Sequence, residues 1–419
     1  MATGRTLEDL DRLELAALAR EYLLAGHLID RAGMPQVIAR AGAEVMTAVA
    51  IDEWSGASPV YSRRTRRLLG FDGEHDVASM FKGMQLDIGA PPEFLDFRYR
   101  VDDERHGGFH LDHCGALADV EPMGDEYVVA MCHHIEDPTF EATVCASNPR
   151  ARLTPIHRPP RVPADRHPHC AWDVVIDPDI EPAAEPATAR RMATTRLAAL
   201  HIPILPLGDP SAGRMSYAGP VDPDLRLEDF AEPALRALCR EFALQGHLLA
   251  MSFAAALRGR IEAAEVAEVL RAQLTGVAGV VAGRLARLLP AGGRTTEQRI
   301  ADVLELHPLM QPRDYVDVWV DGEGETVIAL GDCDATEEVV ALGWAALLGD
   351  GRADSAIDAI VAGVEPGATV ELIEAPLGRR RAWRVVLGGE PRPEAAEVTL
   401  TRFSSGADFE FRRTGLRSS

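Results

Sequence analysis

Residues Leu7–Asp30 read LEDLDRLELAALAREYLLAGHLID, and residues Leu227–Ala250 read LEDFAEPALRALCREFALQGHLLA. The two stretches align without a gap at an offset of 220, and twelve of the 24 positions are identical. The shared positions include Arg20-Glu21 with Arg240-Glu241, and Gly26-His27-Leu28 with Gly246-His247-Leu248. Self-similarity on this scale decides the architecture before any local pattern does. Leu and Ala recur at helical spacing in both stretches, so a helix opens each, over Leu13–Leu28 and Ala234–Leu257.

The likeness continues outward in the same order. Arg67-Leu68-Leu69 resembles Arg287-Leu288-Leu289, Leu111–Cys114 aligns with Leu330–Cys333, and Ala171–Ile176 matches Ala382–Leu387. Second helices are expected over Pro35–Glu53 and Glu262–Leu289. Period-two alternation then predicts strands at Phe94–Arg100, Gly107–Cys114, Tyr127–Cys132 and Trp172–Ile176. The second copy's strands are expected at Tyr315–Val320, Thr326–Leu330 and Trp383–Leu387. Short strands following helices predict an α+β fold, here a tandem duplication of a module with a helical front end and a small, mainly antiparallel sheet. The modules are placed at 1–178 and 223–390. A Pro/Ala-rich linker over 179–222 holds one helix, Ala187–Leu200. A C-terminal hairpin of Ala396–Arg402 with Asp408–Arg412 is expected in 391–419, ending in a frayed tail past Thr414.

Formal net charge is -22, which repels nucleic acid and anionic membranes. No apolar leader opens the chain, and no unbroken apolar stretch reaches the ~18 residues of a membrane span. The expectation is a cytoplasmic protein with a small-molecule partner, arranged as an intrachain pseudo-dimer and open to homo-oligomer formation. Lys82 is the sole lysine, and its context, Met80-Phe81-Lys82-Gly83-Met84, fits neither a P-loop nor a Schiff-base site. Dinucleotide, serine-hydrolase and H-E-x-x-H motifs are absent from the sequence.

The candidate chemistry lies in one window. Eight of thirteen histidines and four of six cysteines fall within His106–Cys170, whereas the matching window of the second copy keeps only Cys333. Residues held in both copies, such as Gly26, His27, Pro149 and Trp172, read as structural, and those found only in the first copy read as functional. Cys114, Cys132 and Cys170 each sit at a predicted strand end and are expected to converge at one sheet edge, with His110, His134 or His169 in reach. Alternation in the strand puts His110, Asp112 and Cys114 on one face. Such a set suits Zn²⁺ with an open position, or an iron–sulfur cluster on three thiolates. A metal-free alternative is a Cys–His nucleophile. In that version Cys132 is catalytic, with His134 and Asp137 as the base pair and His133 beside them. Singly, each has a plainer reading: a buried thiol, a solvated strand-end histidine, or, for Asp137, a helix cap.

These residues resemble the L-2-amino-thiazoline-4-carboxylic acid hydrolase-like family and related uncharacterised bacterial domains. The matching positions are Cys114, Cys132, Asp137, the Pro159-Pro160…Pro163 stretch and Cys170-Ala171-Trp172. That family more often has an acidic residue where this chain has Ala171. The resemblance implies hydrolysis of a C–N bond in a cyclic amidine or amide, or a related ring-opening or ring-closing step. Metal-dependent redox or sulfur chemistry and a non-catalytic ligand-binding or scaffold role are the alternatives.

Overall fold

The computed structural model describes residues 4–321, 325–338 and 343–412; the tail past Thr414 lies outside them. The fold is α+β. A 57-residue helical stretch, α1 (Arg12–Leu68), opens the chain and is broken at Gly42, whose φ of 85° only glycine adopts readily. The break expected between Leu28 and Pro35 falls instead at Gly42, inside the second expected helix, Pro35–Glu53. After α2 (Val77–Met84) come strands β1 (Leu95–Val101) and β2 (His106–Cys114). A helical excursion follows, α3 (Gly115–Val120), α4 (Asp125–Val129), a π-turn at Ala130–Ile135 and α5 (Glu136–Cys145). Strands β3 (Ala151–His157) and β4 (Cys170–Ile176) complete an antiparallel sheet of order β1-β2-β4-β3.

The connecting segment holds α6 (Ala187–Met192) and α7 (Arg196–Ala199), two short helices where one was expected. The second half repeats the plan: α8 (Glu232–Leu257), α9 (Ala263–Leu288), α10 (Thr296–Glu305), β5 (Val318–Asp321), β6 (Val327–Gly331), α11 (Trp344–Gly349), α12 (Asp354–Val364), β7 (Thr369–Ile373) and β8 (Arg379–Val386). Its sheet order, β5-β6-β8-β7, is the same. Phe109 faces Trp172 across β2–β4, and Ile328 faces Trp383 across β6–β8. Helix α13 (Ala396–Thr401) stands where a hairpin was expected, and Asp408–Arg412 forms no strand.

Two pairs of contacts tie the halves reciprocally. Arg64 forks onto Glu241 at 2.8 and 2.8 Å, and Arg284 forks onto Glu21 at 2.6 and 3.0 Å. Arg20 meets Glu228 at 3.0 Å, and Arg240 meets Glu8 at 3.0 Å. In both sets the partners exchange roles at the offset of 220, the pattern of residue i meeting j while j meets i across a two-fold. Helix α9 is long and apolar enough by length and composition to cross a membrane, but 83% of its most apolar window is buried inside the protein, as in a core helix.

The two sheets relate differently to the helices. Residues of the second sheet, such as Val320, Ile328 and Trp383, share one core with α1, α8 and α9. Beneath the first sheet, Phe109, Trp172, Phe81 and the three cysteines form a separate, smaller core. What separates those two cores in the first half is a cavity.

Candidate functional site

The cavity holds about 450 Å³ and lies between α1, the π-turn and α5, the loop after α2, and the inner face of β1–β2. Five methionines, Met34, Met46, Met84, Met123 and Met131, supply much of an adaptable apolar wall. Helix periodicity explains the α5 side: Met131, Ile135, Thr139 and Thr143, four apart, face the cavity. The next stripe, Cys132, Glu136 and Phe140, faces a second cavity of about 10 Å³, which Glu136 and Phe140 share with the first. The π-turn widens the helix where the stripes diverge, a deviation common at functional sites.

Ionisable groups converge on this apolar space. Arg31 lies 3.2 Å from Asp119 and 3.6 Å from Asp30, and Asp30 also accepts from Trp54 Nε1 at 3.2 Å. Asp119 lies 3.1 Å from His27 Nε2. Burial alone would raise the Asp119 carboxyl, but His27, Arg31 and Ser405 outweigh it and hold the carboxyl well below the usual range. Burial lowers His27, which Asp119 partly offsets. Asp87 accepts from Gly89 N at 2.7 Å and is raised to about 7 by burial, against the pull of Gly89 and Tyr61. Glu136 is raised to about 8 by burial and then by the charge of Asp137, with Arg158 and Arg31 opposing. Neither Asp87 nor Glu136 forms an ion pair among the described residues. Glu53 is fully buried with no hydrogen-bond partner for either carboxyl oxygen, and burial raises it well above its ordinary value. Such an orphan is rare in a folded interior.

The expected cysteine convergence is present, by a different route. Cys114, Cys132 and Cys170 line the small cavity with Glu136 and His169. A bulge between Leu95 and Phe97 resets the β1–β2 register, so Cys114 turns inward with Leu111 and away from His110. His110 stays on the outer face, 3.4 Å from Asp112, and is removed from the cysteines. Tyr127–Cys132, expected as a strand, is helical, so Cys132 reaches the cluster from a helix face. His133 points to Pro159, with Nε2 2.6 Å from its carbonyl oxygen, and His134 is exposed. Asp137 pairs with Arg158 instead of His134, and lies inside the first turn of α5 instead of capping it. The His134–Asp137 base pair is therefore not assembled.

The cluster thiols are held protonated. Burial pushes Cys114 up to about 12 and raises Cys132 and Cys170 well above the ordinary thiol range, with a smaller contribution from Glu136 to each. Among the described residues no three His, Cys, Asp or Glu side chains are arranged to hold a metal ion. Of the three thiols, only Cys114 also lines the larger cavity.

The sequence reading missed Asp30, Arg31, Glu53, Trp54, Asp87, Asp119 and Glu136. A signal for four of them was present. At the offset of 220 the second copy has Ala250, Met251, Gln273 and Leu274 in place of Asp30, Arg31, Glu53 and Trp54. Comparison of the copies along the helices, beyond the His106–Cys170 window, exposes Asp30, Arg31 and Trp54 of the cavity wall and the buried Glu53 behind them. His27 has an aromatic neighbour repeated in both halves, Phe94 for His27 and Tyr315 for His247. Its structural reading is thus incomplete, because only His27 also faces a carboxylate in a cavity wall. No protein-family model, no curated protein and no solved structure matches this chain, so its assignment rests on this constellation.

Proposed function

We propose that the chain is a small-molecule enzyme whose site is the first-half cavity, acting on a C–N bond of a compound with an apolar body and a basic nitrogen, such as a cyclic amidine or amide. One observation carries this reading: Asp87 and Glu136, two carboxyls that burial raises toward neutrality, line one apolar cavity and form no ion pair among the described residues. Paired titratable groups set apart by environment are the usual mark of an acid and a base. An organic cation over methionine and aromatic walls, beside Asp87, is well matched. Asp87, the more acidic, takes a proton from water as its oxygen bonds to the amidine carbon. Glu136, protonated at neutral pH, gives a proton to the departing nitrogen as the C–N bond breaks.

The test uses p-aminobenzamidine as a fluorescent binding probe and a panel of cyclic amidines and amides for turnover. Wild type is expected to bind the probe and release a ring-opened or deaminated product. Glu136→Gln should bind the probe and lose turnover by about 10²–10⁴-fold, the scale of a general acid. Binding with no turnover of any panel member leaves a binding protein; no binding and no turnover refute the proposal. A second reading keeps Cys114, Cys132 and Cys170 as ligands of zinc or an iron–sulfur cluster after their side chains reorient. It is favoured by Nδ1 of His169, which is buried without a partner beside them. Metal content and colour of aerobically and anaerobically purified protein separate the two.

A further inference from the structure

We propose that Ser404, carried by the segment that follows the second half, is a positioning residue for the first half's site, so that the cavity is complete only when the second half supplies its strap. This rests on the cavity being the site.

After α13 the chain crosses to the first half. Leu400, Phe403 and Ser404 form part of the cavity wall. Ser404 Oγ donates to Asp119 Oδ2 at 3.0 Å and lies 3.2 Å from His27 Nε2. The Ser405 amide donates to Asp119 Oδ1 at 2.6 Å, and Ser405 Oγ donates to Gly115 O at 3.0 Å. Arg284 of α9 fixes the strap from behind by donating to the carbonyls of Gly406 and Ala407, both at 3.1 Å. Asp119, which orients His27 and Arg31, is therefore held by a hydroxyl and an amide nearly 290 residues away in sequence.

The first half offers its own strap in return, and the comparison separates function from architecture. Arg64, the counterpart of Arg284, donates to the carbonyls of Ala198 and Leu200 at 2.8 and 2.7 Å. The Arg196 amide donates to Glu338 at 2.8 Å, as the Ser405 amide does to Asp119. The exchange of straps is thus common to both halves. Among the described residues the hydroxyl–carboxylate–imidazole chain is not. Thr195, the residue before Arg196, turns its hydroxyl to its own helix, donating to Met192 O and accepting from Ala198 N. His247 lies 2.8 Å from the Gln311 carbonyl instead of meeting a carboxylate. Architecture alone would need only the amide contact; the Ser404 contact is added where there is a cavity.

Titration of the histidine C–H resonances in Ser404→Ala, Ser404→Thr and wild type tests this without any ligand. The charged groups around His27 are Asp119, Arg31 and Asp30. Loss of the hydroxyl removes one donor from Asp119 and admits water, and both changes favour imidazolium. The His27 midpoint should therefore rise in Ser404→Ala and return in Ser404→Thr, while His247 stays put. An unchanged His27 midpoint in Ser404→Ala overturns the proposal. For p-aminobenzamidine, Ser404→Ala should weaken binding about tenfold, the scale of one hydrogen bond to a charged group, and Ser404→Thr should restore it. Equal affinity in Ser404→Ala and wild type also overturns it. If wild type does not bind the probe, the ligand class proposed above fails, and the His27 titration alone decides the role of Ser404.

Discussion

Replacing Arg284 with Met should destabilise the protein as strongly as replacing Arg64 with Met, yet only the first should disturb the cavity. Arg284→Met leaves the Glu21 carboxylate buried and the Gly406 and Ala407 carbonyls without their donor. Arg64→Met does the same to Glu241 and to the carbonyls of Ala198 and Leu200. Breaking a buried, hydrogen-bonded pair from one side costs ~3–5 kcal/mol, because a charge is stranded in low dielectric. With about 2.1 cal/mol/K of unfolding entropy per residue, 419 residues give about 0.9 kcal/mol/K. For a single cooperative transition Tm therefore falls by about 3–6 °C in either variant. Scanning calorimetry measures it. The double variants Glu21→Met/Arg284→Met and Arg64→Met/Glu241→Met should recover most of the loss, since apolar replacement of both partners removes the desolvation cost. Arg284→Met should also raise the His27 titration midpoint by loosening the strap, and Arg64→Met should not. A Tm drop below about 1 °C in the single variants, or double variants no more stable than the singles, would refute the reasoning about these pairs.

Two further outcomes follow from the same contacts. The raised carboxyls make stability fall as pH rises from about 4, where the unfolded groups ionise, to about 8, where the folded ones have done so, and the net decline should show above about 6.5, where the buried histidines no longer oppose it. Asp87 and Glu136 have folded values of about 7 and 8, above their unfolded values, so the native state holds protons that the unfolded state has released, and that advantage is lost as pH passes through the folded values. His247 and His307, lowered to about 4 and about 3 by burial, act in the opposite direction but only below about 6.5, where the unfolded imidazoles titrate. Asp87→Asn and Glu136→Gln should each flatten the alkaline decline in Tm; an unchanged slope in both would count against buried protonated carboxyls. The paired glycines should part ways as well. A Cβ on Gly26 would sit 2.6 Å from Cβ of Ile88 in the cavity wall, whereas one on Gly246 meets nothing closer than Ile29 at 3.5 Å. Gly26→Ala should cost about 1–3 kcal/mol through overpacking, and Gly246→Ala should gain about 0.5–1 kcal/mol from helix propensity. Equal effects in urea melts would show that the two helix contacts do not differ as described.

By itself the sequence determined the α+β class, the likeness between Leu7–Asp30 and Leu227–Ala250, the helices at the front of each half and most of the strands. Those features are written locally, in periods of 3.6 and 2 and in the one-to-one comparison of two copies. Tertiary structure decided the rest. The apolar run Tyr127–Cys132 carries both a strand and a helix pattern, and packing against α1 selects the helix, which sends His133 and His134 outward and Glu136 inward. One bulge in β1–β2 turned Cys114 to the opposite face from the one its alternation implied. The cavity depends on packing that no short window contains: its polar groups come from α1, from the loop after α2, from α3 and α5, and from a strap that arrives from the far end of the chain. Periodicity reports which side of an element is buried. It does not report whether the space beneath that side is filled or left open, as it is in the first half.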